Sequence, residues 1–206
     1  MLYDITRPLS PRTAVFPGDT PVSITPVMST RNGDCCNVSA ITMSAHAGTH
    51  IDAPRHYADD APGVDALDLG VLTGPARVVT IHASERIAVE DVAGLDDLSG
   101  VALLVHTRGS DTPHDAFDPQ LVHFAADAAA WLGEQGVRLV GIDTPSVDAA
   151  ESSDLPAHRA FQKHGVVIVE NLWLRDAPDG LYRLFALPLK IVDGDAAPAR
   201  CILLGP

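Results

Sequence analysis

The chain has 206 residues, 46% of them apolar, and 27 acidic side chains against 14 basic ones give a formal net charge of −13. That length suits a single domain spanning 1–206 with a core of its own. The acidic balance, without any Lys/Arg cluster, excludes nucleic acid as a partner, and no run of about 18 apolar residues offers a membrane span.

The opening MLYDITRPLSP has neither the basic nor the apolar region of a secretory signal, so a cytoplasmic protein is expected. Leu2 to Thr6 reads as a short strand, and residues 8–21, with four prolines, as an ordered irregular loop. VSITPVMST (22–30) and NVSAITMSA (37–45) alternate or are β-branched, and Asn32-Gly33 between them signals a hairpin. The three cysteines, Cys35, Cys36 and Cys201, have neither the even count nor the CxxC spacing of a disulfide or zinc framework. They are expected as reduced thiols in or near the core.

SAHAGTHIDAPRH (44–56) then gathers His46, His50, Asp52 and His56 among small residues. On a helix, Asp52 would sit about 240° round from His46, and Gly48, Thr49, Ile51 and Pro54 oppose a helix in any case. On a strand, Ser44, His46, Gly48, His50 and Asp52 share one face. A flat strand would hold His46 and His50 about 13 Å apart, too far to meet one ion. A kink at 47–49, centred on Gly48, is therefore predicted.

Residues 57–70 read as a surface loop with a helical turn. VALLVHT (101–107) is a strand covered on both faces. A helix is predicted from Asp118 as N-cap, with Pro119 in its first turn, to Gly136. Strand 137–143, a helix over 155–165 ended by Gly165, and strand 166–171 follow. This succession of strands and helices indicates an α/β fold with a parallel or mixed sheet and a β-rich N-terminal third.

Imidazoles beside a carboxylate suit zinc, and also manganese or iron. A carboxylate can bridge two ions that activate water for hydrolysis. Such a pair needs further ligands, and His158 and Glu170, near the ends of their elements, are candidates. His106 and Asp143, closing neighbouring strands, are candidate supports behind the ligands. His114 and His123 are read as structural, in a polar loop and a helix. No GxSxG elbow points to a serine hydrolase.

The stretch His46-Ala47-Gly48-Thr49-His50-Ile51-Asp52-Ala53-Pro54-Arg55-His56 resembles the HxGTHxDxPxH signature of the metal-dependent cyclase superfamily. DITRPLSPRTAVFPGDTP, GIDTPSVDA, HGVVIVENLWL and LFALPLKIVDGDAAPARCILL carry the likeness nearly end to end. Within the superfamily the chain is most similar to the bacterial kynurenine formamidases (arylformamidases). The resemblance implies a swivelling β/α/β architecture and a homodimer or larger assembly, with the site near a subunit contact. It also implies two divalent cations, Zn2+ or alternatively Mn2+. His46 and His50 would hold one and His158 the other, Asp52 and Glu170 would bridge both, and His56 would be the proton donor and acceptor. The implied reaction is hydrolysis of a small aromatic formamide, N-formyl-L-kynurenine, to L-kynurenine and formate by a metal-activated hydroxide. Phe16 stands where the formamidases usually have tryptophan, and it can still stack on an aryl ring. Glu170-Asn171-Leu172 resembles the wider superfamily, whose other branches open isatin or other cyclic amides and lactones.

Overall fold

A computed structural model describes residues 1–205. Its strands are β1 (Leu2–Asp4), β2 (Ser23–Met28), β3 (Val38–Thr42), β4 (His50–Asp52), β5 (Thr73–Thr80), β6 (Arg86–Ile87), β7 (Ala102–His106), β8 (His123–Phe124), β9 (Leu139–Ile142), β10 (Val167–Glu170), β11 (Gly180–Pro188) and β12 (Ala196–Leu204). The α-helices are α1 (Leu69–Leu72), α2 (Val89–Val92), α3 (Ala126–Glu134) and α4 (Pro156–Lys163). None of the described helices is long and apolar enough to cross a membrane.

The expected α/β architecture is present, and it is closed. The main sheet runs β1-β12-β11-β5-β7-β9-β10-β4, and β4 also pairs with β12, making a barrel of mixed strand direction. β5, β7, β9 and β10 lie parallel, whereas β4, β11 and β12 meet their neighbours antiparallel. Alternation along the strands fills two cores. Ala102 and Leu104 of β7 point inward with Ile51, Leu139, Val169, Cys201 and Leu203. Leu103 and Val105 point outward with Val140 and Ile142, under Leu132 of α3 and Phe161 of α4. The continuous apolar run 101–107 thus reflects a strand buried on both sides.

Several local expectations are corrected. The helix predicted from Asp118 begins at Ala126. Asp118 instead accepts from its own Gln120 amide, in a local turn. Val122 and Phe124 bury extended side chains, and β8, which carries His123, pairs with β6. These long-range contacts outweigh the local capping signal. Gly136, with φ of 79°, still lies just past the helix end. The loop at 57–70 contains a 3-10 turn, Val64–Ala66, before α1. Cys201 is buried, but Cys35 and Cys36 are exposed, because they lie beyond the turn of the projecting β2–β3 hairpin. Gly33, in the left-handed region at φ 90°, makes that turn.

Candidate metal centre

β4 is wedged between β10 and β12, and this register begins the site. His50 lies directly opposite Glu170 of β10, and His50 and Asp52, two residues apart, share a face. The backbone is irregular at 47–49 as predicted, but residues 44–46 are also turn rather than the predicted strand, so the alternation holds only from His50. Gly48 has φ of 67°, and a Cβ there would come within 2.7 Å of Leu9. The turn is tied down by Thr49, whose hydroxyl donates to the Asn171 carbonyl and accepts from the Arg7 amide. As a result the His46 and His50 rings are 4.9 Å apart, centre to centre.

His158 arrives from α4. The N-cap of that helix, Leu155, is in the left-handed region at φ 49° and offers no capping side chain. Asp148, from the preceding loop, takes over: its carboxylate accepts from the amides of Ala157 and His158 and bonds His158 Nδ1 at 2.6 Å. His158 Nε2 is thereby aimed at Asp52 and Glu170. His56 ends the 3-10 turn Pro54–His56, its ring 4.3 Å from that of His46 and 5.9 Å from that of His158. The Tyr57 hydroxyl donates to Asp52 Oδ2.

The donors fit divalent cations. His46 Nδ1, His50 Nε2 and His158 Nε2 lie 3.1 to 3.5 Å from oxygens of Asp52, and the last two lie 3.3 Å from oxygens of Glu170. Charge-assisted hydrogen bonds are mostly shorter, at about 2.7–2.9 Å. Ligand atoms about 2.05 Å from a tetrahedral zinc stand about 3.3 Å from one another. Moreover, buried His50 Nε2 and Asp52 Oδ1 have no hydrogen-bond partner among the described residues, a costly arrangement unless an ion fills the gap. Two groups of possible ligands stand out: His50, Asp52 and Glu170, and the more open His46, Asp52 and His56.

Without a cation the cluster behaves as ion pairs. Burial alone would lower the His50 imidazole, but the adjacent Asp52 and Glu170 carboxylates push it up to about 10. Burial likewise opposes His158, which Asp148, Asp52 and Glu170 push up to about 12. Cations must displace those protons to bind. His56 differs. Burial, helped by the neighbouring His46 and His158, lowers it despite Asp52 and Glu170, so it is a neutral base near pH 7.

A cleft of about 420 Å³ opens onto this cluster, lined by Phe16, Asp19, His46, His56, His158 and Glu170 among others. Phe16 is braced edge-on by Phe117, 5.3 Å away. The structure therefore brings together His46, His50, Asp52, His56, His158, Glu170 and Phe16. His106 and Asp143 do not join them as supports. His106 is near Thr80, and buried Asp143 binds Thr107 and Ser110, fastening the 108–111 turn. Among the groups that do support the donors, Asp148 lies inside the GIDTPSVDA stretch and Tyr57 adjoins His56. Asp195 bonds His46 Nε2 across 149 residues and lies inside the LFALPLKIVDGDAAPARCILL stretch.

The chain is similar to known proteins over nearly its whole length. The cyclase family model matches residues 3–149. A kynurenine formamidase of Salinibacter ruber is 43% identical over 205 residues, covering 98% of this chain and 96% of the relative. The kynurenine formamidase of Bacillus mycoides is 41% identical over 200 residues, covering 97% and 95%. A solved structure described as a potential metal-dependent hydrolase with cyclase activity superposes with a TM-score of 0.87 at 34% identity, covering 98% of this chain and 96% of its own. An isatin hydrolase bound to thioisatinate shares the fold, with a TM-score of 0.88 at 21% identity, covering 100% and 92%.

Proposed function

The chain belongs to the cyclase family and is a hydrolase, and we propose that its reaction is the hydrolysis of N-formyl-L-kynurenine to L-kynurenine and formate. The observation that carries this reading is the convergence of three imidazoles and two shared carboxylates beside a neutral His56, under an aromatic cleft. The names of the full-length relatives support the formamide as substrate. His46, His50, Asp52, His158 and Glu170 would hold two divalent cations, zinc or manganese. Bound there, the cations supply Lewis acidity and lower the pKa of water.

His56 then moves the protons. It accepts one from the attacking water as oxygen adds to the formyl carbon. It returns the proton to the aniline nitrogen as the C–N bond breaks, leaving an amine and formate. Tyr57 holds Asp52 in place meanwhile, with its hydroxyl kept protonated by burial and the surrounding carboxylates. Phe16 covers the arene.

A second reading, opening of isatin or another cyclic amide, uses the same donor set and draws on the shared fold. One experiment separates them: purified protein with measured metal content, given formylkynurenine and isatin in parallel. Formate release, with isatin left closed, is the expected result. Ring opening without formate release would overturn the first reading.

We also propose that the chain works as a homodimer or larger assembly. A two-stranded hairpin alone is marginally stable in water, yet β2–β3 projects with Ile24, Val27, Val38 and Ile41 exposed. Ile41→Asp is expected to lower the mass measured by light scattering. An unchanged mass would remove the hairpin from the interface.

A further inference from the structure

Each histidine of the cluster turns one ring nitrogen to the carboxylates and is held behind by the other, and the three holders differ. His50 Nδ1 is 2.9 Å from the Gly48 carbonyl, and His158 Nδ1 is 2.6 Å from buried Asp148. His46 is reversed. Its Nδ1 faces Asp52, and its Nε2 is 3.1 Å from Oδ2 of Asp195, whose side chain is half exposed.

The carboxylate oxygens divide the donors as well. Oδ1 of Asp52 neighbours both His46 and His50, and Oε2 of Glu170 neighbours His50. Oδ2 of Asp52 and Oε1 of Glu170 neighbour His158. One position thus has four protein donors, which is a closed set for zinc. The other has three, which leaves it open to a further ligand.

We infer that Asp195 and Asp148 are positioning residues that serve separate cation positions, Asp195 the four-donor position through His46 and Asp148 the three-donor position through His158. The four-donor position fills first. A histidine ligand must offer a neutral nitrogen to the ion, and an acceptor on its other N–H fixes that tautomer and ring angle. The fold places Asp195 for this task. Ala196 pairs with Asp52 in the β4–β12 register, and the Ala53 amide donates to the Asp195 carbonyl at 2.9 Å. Among the described residues the carboxylate of Asp195 bonds no side chain except His46, so its replacement disturbs little else.

This inference rests on the two-cation reading, and its test distinguishes the two. Metal-free protein is titrated with Zn2+ against a chromophoric chelator, and with Co2+ followed by its visible absorption. Wild type should show two unequal sites. Asp195→Asn should weaken the tighter one by about 10–100-fold and spare the other; Asp148→Asn should do the reverse. Equal sites in wild type, or an Asp195→Asn variant that binds like wild type or weakens both sites alike, would overturn the inference. Wild type that takes up fewer than two cations would instead refute the two-cation reading. Asp148 also caps α4, so a melting curve accompanies that variant; if it does not fold, Asp195→Asn alone decides.

Discussion

Asp52→Ala is expected to purify without its metal and to release formate at least about 10³-fold more slowly, since a lost Lewis-acid centre removes several kcal/mol at 1.36 kcal/mol per tenfold. Among the described residues, Asp52 is the one side chain that neighbours all three histidine donors, and its oxygens would serve both proposed cation positions. Glu170 alone would then face His50 and His158, and the Tyr57 hydroxyl would lose its acceptor. Breaking such a buried pair by removing one partner also costs about 3–5 kcal/mol of stability. Asp52→Asn keeps the shape and separates folding from ligation: it should stay folded by circular dichroism and still lose metal. A variant with full metal content by elemental analysis would show that Asp52 does not bridge.

His56→Ala is the contrasting case. It should keep its metal while turnover falls by about 10²–10⁴-fold, the usual worth of a positioned proton carrier. His56 has no hydrogen bond to Asp52 or Glu170, and its ring packs between those of His46 and His158. Its lowered pKa gives the wild type a pH signature. The base form persists below the ordinary imidazole value of about 6.5, so turnover should decline only on the acid side of that value. The residual activity of His56→Ala should lack this acid limb. If His56→Ala empties the site, His56 is a ligand, as the His46, Asp52 and His56 grouping allows.

The parts legible in the sequence are those whose cause is local. A continuous apolar run marked 101–107 as a strand buried on both faces, and alternation with β-branching marked the exposed strands β2 and β3. Gly136 and Gly165 marked helix ends, both now at positive φ. The crowding of His46, His50, Asp52 and His56 was visible because the 44–49 turn, the short strand β4 and the 3-10 turn after it follow one another within a few residues. Asp118 misled, since a local capping signal yields when Val122 and Phe124 can be buried and β8 can pair with β6. Asp143 misled for a related reason: a buried carboxylate at a strand end serves whichever loop packs over it, here 107–110.

By itself, then, the order of residues determined an α/β chain with a ligand-rich turn, because propensity, alternation and glycine conformations act over a few positions. Only the tertiary structure decided that the sheet closes through β4 and β12, that His158 and Glu170, already candidates in the sequence, reach the other donors, and that Asp148 and Asp195 stand behind them. Those contacts join residues up to 149 positions apart. Their geometry is set by strand register and barrel closure, which no short window of sequence encodes.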